Sequence, residues 1–428
     1  MSLYSALDAA VSGLSAQSAA LAAISANIAN ASTTGYKTED TSFDALVAAS
    51  TGADSSLAST EGVSTSYYRE MSNQGEIASS TTTTNMAIDG DGFFVVSASN
   101  TGTSATTDLF TRDGSFSTDA DGYLINSSGD YLMGYATDSS GDPISSSAGT
   151  LSGLTAIQIP TTTKVTATTE ASLSANLPAD LAVGDSVTSS MQVVDSQGVT
   201  QTIGETWTKT AANTWTLTLS NPYSTDASTS TGTISPSTVT VSFDGNGVLS
   251  STDPSPISLT LSDMTSGAAD STFTLNLGTA GETDGLTQYA SSDSSDEISI
   301  TSSTQNGSTA GSLSSVAIGD TGLVTATYSN GESVIVAKVP VATFSDEEDL
   351  TQLSGSTFTA NSTSGTAVIS QAGSDGAGSI TGSALETSTT DTATEFNKMI
   401  VAQQAYSAAA EVITYVDKMY QTLTQSIA

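Results

Sequence analysis

The sequence predicts a mainly β protein with long N- and C-terminal α-helices forming a coiled-coil layer, and a nested, discontinuous multidomain architecture between them. Three observations carry this prediction. Each end of the 428-residue chain bears apolar residues that advance in alternating steps of three and four, the seam of a helix that packs along another helix. The middle is rich in Ser and Thr and alternates in hydropathy between Asp-Gly and Gly-Asp turns, which marks strands and hairpins. Strand texture before residue 161 resembles that after residue 304, which points to one β domain split by an insertion.

The N-terminal seam runs through Leu3, Leu7, Ala10, Leu14, Gln17, Leu21, Ile24 and Ile28, with Gln17 its one polar member. The C-terminal seam runs through Met399, Ala402, Tyr406, Ala409, Ile413, Val416, Tyr420, Leu423 and Ile427. Each apolar face is too narrow for a helix buried in a core, so each seam needs a partner helix. An intramolecular hairpin would satisfy that need, but the expectation is that Leu3, Leu7, Leu14, Gln17, Leu21, Ile24, Ile28, Met399, Tyr406, Ile413, Val416, Tyr420, Leu423 and Ile427 form a polymer interface.

Between the helices the sequence divides in order. Residues 1–30 and 383–428 make the terminal helical domain, and 31–70, a mixture of turn formers and short apolar pairs, reads as an extended connector. Residues 71–160 and 305–382 read as the split β domain, with strands at 93–96, 109–111, 115–117, 123–125 and 131–135. Asp113-Gly114 and Asp121-Gly122 are predicted to close hairpins there. Residues 161–304 form the inserted β domain, with 15 acidic residues against only Lys164 and Lys209 as cations. A short helical turn at 346–353, beginning at a solvated Glu347-Glu348, and a Gly/Ser loop at 373–382 precede the last helix.

Composition then excludes function classes. Against 44 Asp+Glu stand only 8 Lys+Arg, a formal net charge of −36, so the field of the molecule opposes nucleic acid and anionic membrane. The chain has no cysteine and no histidine, which removes disulfides, thiolate metal sites, the commonest general base and the commonest metal ligand. No catalytic, cofactor-binding or metal-binding residues are predicted. Asp89-Gly90-Asp91-Gly92 and Asp119-Ala120-Asp121-Gly122 lack the spacing of a calcium loop and read as turns. The first residues lack the basic start and continuous apolar run of a signal peptide, and no window approaches a membrane span.

Several motifs in series then resemble the family of bacterial flagellar hook proteins and their rod and hook-filament junction relatives. They begin with Ser12 to Gln17, Ser25 to Asn30 and Thr33-Thr34-Gly35-Tyr36-Lys37, and continue with Ile88 to Val96 and Phe110 to Phe116. Tyr328 to Gly331, Leu385-Glu386, Glu395-Phe396 and Met399 to Tyr406 complete the set. Residues matching family positions are Asn27, Asn30, Gly35, Tyr36, Gly92, Phe93, Phe94, Asp113, Gly114, Glu386 and Gln403. One departure is Ser388-Thr389-Thr390-Asp391-Thr392, where the family usually has Ser-Asn-Val-Asp-Leu. The resemblance implies an extracellular homopolymer of the flagellum, exported by the flagellar type III route, with the helices as an inner tube, the insertion outermost, and rod, hook-cap and junction proteins as partners. Its length favours the hook over the rod and junction relatives, and a secreted adhesin or surface-layer protein is the alternative outside the family.

Overall fold

The computed structural model describes residues 3–48, 59–100, 108–144, 149–224, 229–290, 297–353 and 356–427. Two long helices, α1 (Leu3–Ala29) and α2 (Thr392–Ile427), bracket a chain that is otherwise strand and turn. It divides into two compact units. Unit 1 comprises Met1–Ile159, Ser315–Ala326 and Ser333–Ala428; unit 2 comprises Pro160–Ser314 and Thr327–Glu332.

In unit 1, α1 and α2 pack together. Members of both seams supply the covered faces. Ala10, Ile24, Ala402 and Val416 are buried, while Leu7, Leu14, Leu21, Met399, Ala409 and Ile413 are half-buried. Ala16, Ala20, Ala23 and Asn27 are buried as well, which marks a second face of α1. Over it lies a ribbon made by β1 (Glu39–Ala48) and β2 (Ser59–Arg69), paired antiparallel from Glu39↔Arg69 to Ala48↔Ser59. Ser12 Oγ accepts the Val63 amide at 3.2 Å and locks ribbon to helix. Much of the segment expected to be an extended connector is therefore a hairpin, whose partner strand lies across a gap that local patterning does not span.

A further difference concerns membrane spans. Ala6–Ala29 is long and apolar enough, by length and composition, to cross one, because its alanines raise the average although no long run of large apolar residues exists. Here the segment is α1, packed on α2 and the ribbon.

The β part of unit 1 is closed by strands remote in sequence. Ile77–Ser79 pairs with Ala384–Glu386, Met86–Asp89 with Ser379–Gly382, and Pro340–Thr343 with Val368–Gln371. The expected Gly/Ser loop at 373–382 thus ends in a strand. Its main sheet places Ser333–Lys338, Tyr131–Ala136, Phe94–Ser97, Asp108–Thr111, Thr357–Thr359 and Thr351–Gln352 side by side. Phe93, Phe110, Phe344 and Phe358 meet edge to face at 4.8–6.0 Å, a geometry favoured by the ring quadrupole. No helical turn forms at 346–353: Leu350 N bonds back to Glu347 O and the chain enters a strand. Glu348 is exposed, whereas Glu347 is half-buried, and burial pushes its carboxyl up while Arg112 opposes the shift.

Unit 2 contains a five-stranded and a six-stranded sheet that share one apolar core around Trp207, Trp215, Leu217, Leu259, Phe273 and Leu286. Thr214–Leu219 and Ile257–Ser262 alternate strictly, apolar residues inward and Thr or Ser outward. A recurring turn spaces its strands and those of unit 1. Asp119, Asp195 and Asp244 each accept the amides two and four residues on, at 2.7–3.0 Å. A glycine with φ of 80–85° follows in the third position of each, at 122, 198 and 247. Asp121-Gly122 does close a hairpin, joining Phe116–Thr118 to Leu124–Asn126. Asp113-Gly114 does not, because Asp108–Thr111 pairs with Phe94–Ser97 and Thr357–Thr359 instead.

One inward-facing row in unit 2 breaks the apolar rule. Gln201, Glu205 and Lys209 of Thr200–Ala211 are all buried. Lys209 Nζ donates to the Ala179 and Leu181 carbonyls, and Gln201 donates to Asp195. Glu205 Oε2 receives the Ser189 hydroxyl at 2.5 Å, and its Oε1 has no partner among the described residues. Burial pushes this carboxyl above its ordinary 4.5, although hydrogen bonds from Ser189 and Trp207 pull the other way. The folded state then binds a proton that the unfolded chain has released, so unit 2 loses stability as pH rises from 4.5 through the raised folded value. Glu205→Gln is expected to abolish that slope and to add about 1–2 kcal/mol at neutral pH. Urea titrations at several pH values, read by Trp fluorescence, check it; a slope that persists in the variant refutes the assignment.

Candidate functional site: a buried clasp between the chain ends

Where α1 ends, the turn-rich string 30–35 folds under its own side chains. Asn30 Nδ2 donates to Ala26 O, Thr33 Oγ1 donates to Asn30 Oδ1, and Thr33 N donates to Asn30 O. Gly35 has φ 65°, and a Cβ there would sit 2.6 Å from the Arg112 carbonyl carbon. Only glycine fits both the left-handed backbone and that approach. Its amide donates to Glu386 O at 2.9 Å, so the turn after α1 is fastened to the strand before α2.

Asn27 is the first centre of the clasp. Its Nδ2 donates to Glu39 O at 2.9 Å and to Glu395 Oε2 at 3.0 Å, while its Oδ1 accepts from Tyr36 OH and from the Glu39 amide. One amide side chain thereby links α1, the start of β1 and the first turn of α2. Burial pushes the Tyr36 hydroxyl up, and Arg69 pulls it partly back. Glu395 continues to Lys398 at 2.9 Å, and Lys398 to Asp40 at 2.8 Å. Burial alone would lower the Lys398 ammonium; its hydrogen bonds to Asp40 and Glu395 outweigh that and hold it above its usual range.

Glu386 is the second centre. Its Oε1 accepts Lys37 Nζ at 2.7 Å and the Gly75 amide at 2.8 Å. Its Oε2 lies 3.6 Å from Arg112 Nη1, beyond hydrogen-bond reach. Lys37 also donates to Asn73 O. Arg112 donates to Gly90 O at 2.9 Å and stacks 5.1 Å from the Phe93 ring centre. All three charged side chains are at most 2% exposed. Burial pushes the Lys37 ammonium below 10.5, against the attraction of Glu386. Removing one partner of such a group leaves an uncompensated charge, the costly case among buried ion pairs.

Around these centres the remaining motif residues act as spacers and fasteners. Thr34 Oγ1 donates to Asp113 Oδ1 at 2.8 Å. A Cβ on Gly114 would meet the Met86 carbonyl at 1.6 Å, and one on Gly92 the Val341 side chain at 2.2 Å. Phe93 bonds to Ala342 at both its amide and its carbonyl, and Phe94 packs on Phe116. The departure before α2 keeps its capping function. Asp391 accepts the Ala393 and Thr394 amides at 2.8 and 3.3 Å, which holds its carboxyl below the usual range. Thr389 is recruited as well, its hydroxyl accepting the Thr38 amide at 2.9 Å.

The structure therefore gathers Asn27, Asn30, Gly35, Tyr36, Gly92, Phe93, Asp113, Gly114 and Glu386 around one junction, with Phe94 beside it. Gln403 stands apart, exposed on α2. Of the seam positions, Tyr406 and Tyr420 are exposed, Gln17 and Ile28 are half-buried, and the side chains of Leu3, Leu423 and Ile427 lie outside the described residues. The sequence motifs included Lys37, Arg112 and Glu395 without a role for any of them, and did not include Lys398 or Asp40. A usable signal existed: in a chain with so few cations, three of them fall in or beside the motif segments, each needing an acid.

Family profiles cover the chain in the same order as these elements. Residues 7–37 match a flagellar basal body rod protein profile, 87–175 a flagellar hook protein FlgE/F/G D1 domain, 158–308 a flagellar basal body protein FlaE D2 domain, and 381–426 a flagellar basal body rod FlgEFG C-terminal profile. The chain is 32% identical to a flagellar hook protein FlgE of Rhizobium meliloti, over 99% of both chains. It is 29% identical to that of Escherichia coli, over 98% of this chain and 99% of the relative. A Helicobacter pylori flagellar hook protein, FlgE2, superposes with TM-score 0.50 at 15% identity, covering 72% of this chain and all of that one, which speaks to fold alone. With matched segments at both ends meeting in one clasp, and near-complete alignment to hook proteins, the chain belongs to the flagellar hook protein family.

Proposed function

We propose that this chain is a structural subunit of the extracellular flagellar hook, assembling with its own copies into a tube that passes torque from rod to filament as a flexible joint. The observation that carries the reading is the clasp, which fixes α1, α2 and the ribbon as one block and so presents a rigid helical surface for polymerisation. The helices are also suited by charge. α1 holds only Asp8, and α2 holds Glu395, Glu411 and Asp417 against Lys398 and Lys418, so they are almost neutral in a chain of net charge −36. Exposed Phe43, Leu46, Tyr67 and Tyr68 on the ribbon add apolar surface. Rod, hook-cap and junction proteins and the flagellar export apparatus are the further partners, and residues 161–304 form an outer domain that tunes tube shape.

Electron microscopy of the concentrated protein tests the reading. Short curved tubes are expected, and particles that stay monodisperse at every concentration contradict it. Salt gives a second measure. Subunits this acidic repel over a Debye length of about 30 Å at about 0.01 M salt but about 8 Å at physiological strength. Polymerisation followed by light scattering is therefore expected to speed up between those conditions; faster assembly without salt would oppose the proposal.

A further inference from the structure

Asparagine is followed by glycine three times in the chain, at Asn246-Gly247, Asn306-Gly307 and Asn330-Gly331. The dipeptide carries a chemistry of its own, because a glycine amide has no side chain to shield it and can attack the carboxamide carbon just before it. All three lie in unit 2, and the fold holds them differently. Asn330 is tied at both ends of its carboxamide: Nδ2 donates to Thr309 O at 2.8 Å, and Oδ1 accepts the Glu332 amide at 3.0 Å. The Gly331 amide donates to Tyr328 O at 2.9 Å. Asn306 is tied more widely, with Nδ2 donating to Thr169 Oγ1 at 2.7 Å and Oδ1 accepting the Thr169 and Glu170 amides at 2.9 and 3.0 Å. Gly307 N donates to Gln305 Oε1. Asn246, by contrast, is exposed at the tip of the hairpin that joins Thr238–Phe243 to Leu249–Asp253. Among the described residues its carboxamide makes one bond, from Nδ2 to Asp244 Oδ2 at 3.2 Å, and the Gly247 amide reaches Asp244 O at 3.2 Å. Both bonds are long and both stay within one turn.

We propose that Asn246 is a self-modification site, converted through a cyclic imide to aspartate and isoaspartate, and that the change is passed to the core of unit 2. Solvent base removes the Gly247 amide proton, and the nitrogen attacks Asn246 Cγ. A C–N bond forms there, and Nδ2 takes up a proton and departs as ammonia. Water then opens the imide: addition at the side-chain carbonyl gives aspartate, and addition at the main-chain carbonyl gives isoaspartate, with the backbone rerouted through the former side chain. The carboxamide and the glycine amide must be free at the same moment, so the rate follows the cost of opening the turn, and that cost is least at Asn246. Asn306 is the opposing case, since two amides on Oδ1 are an arrangement that steadies an oxyanion. Those amides, however, hold the carboxamide against a strand more than 130 residues away in sequence, at an |i−j| of 137 for Thr169, while Gln305 occupies the attacking N–H. The consequence at 246 reaches inward because Gly247 O accepts the Gln288 amide at 2.8 Å, and Gln288 Oε1 accepts the Trp215 indole N–H at 2.9 Å. Isoaspartate lengthens the backbone by a methylene just before Gly247, where a Cβ would already sit 2.3 Å from Gln288 O.

The experiment is a peptide map by mass spectrometry of the full chain after incubation in mildly alkaline buffer, with and without urea. In the folded chain Asn246 is expected to convert about 10-fold or more faster than Asn306 or Asn330, with isoaspartate exceeding aspartate and the rate rising with pH. In urea the three sites are expected to converge, because each is then the same unrestrained dipeptide. Trp emission of the folded chain should change in step with conversion at 246, and Asn246→Gln, whose longer side chain closes a ring far more slowly, should hold it constant. Asn306 or Asn330 leading in the folded chain would overturn the assignment. A lead at Asn246 that persists undiminished in urea would place the preference in the local sequence and not in the fold, which overturns it as well. Aspartate as the sole product would rule out the imide. Trp emission indifferent to conversion would refute the path through Gln288.

Discussion

Replacing Glu386 with alanine is expected to cost unit 1 about 3–5 kcal/mol, the penalty of stranding a buried charge. Lys37 would keep the Asn73 carbonyl but lose the carboxylate it pairs with, leaving the weaker attraction of Glu347 and with Arg112 close by to repel it. The two units can be read separately, because both tryptophans, Trp207 and Trp215, lie in unit 2. Far-ultraviolet circular dichroism should show an earlier transition in urea while Trp fluorescence reports an unchanged one. The variant should also have a particular pH response. Lys37 is held below 10.5 in the fold, so between its folded value and 10.5 the unfolded chain binds more protons and stability rises with pH. Without Glu386 the folded value drops further and that window opens downward. The defect should therefore shrink as pH is raised towards 10.5. A defect of the same size at every pH would show that Lys37 is not the group left uncompensated.

Asn27→Ala is the second large effect expected, at about 3 kcal/mol. Four hydrogen bonds disappear together, and Glu395, 2% exposed, loses a donor at a carboxylate that stays buried. Asn30, three residues on, supplies the control. Its side chain donates to Ala26, accepts from Thr33 and lies beside the Tyr36 hydroxyl, but it makes no hydrogen bond to Glu39 or Glu395, so Asn30→Ala should cost about 1 kcal/mol. The test is the urea midpoint by circular dichroism, with the critical concentration for assembly measured on the same samples. Asn27→Ala should move both and Asn30→Ala should move each much less. Equal effects would mean that Asn27 acts only as a local helix-end residue and does not join α1 to β1 and α2.

What the sequence alone determined was whatever repeats locally. The steps of three and four in α1 and α2, the period-two alternation of Thr214–Leu219, and the turn at Asp121-Gly122 all act over a few residues, so each was legible before any contact was known. The motif residues were legible too, as a set of positions, because their order along the chain resembles that of a known family. What they do together was not legible. Residues as far apart as Lys37 and Glu386, or Asn27 and Glu395, are partners only because strands such as Ile77–Ser79 and Ala384–Glu386 close the chain on itself, and ion-pair choice follows distance in space. The same limit explains the segment 31–70, where strand pairing across a gap made a ribbon out of an apparent connector. It explains Asp113-Gly114 as well, since a turn signal states that the chain bends but not which strands then pair. On α2 the period of the seam stated that a partner helix was needed but not which one, and only tertiary packing, which brings the two chain ends together, supplied α1 of the same chain.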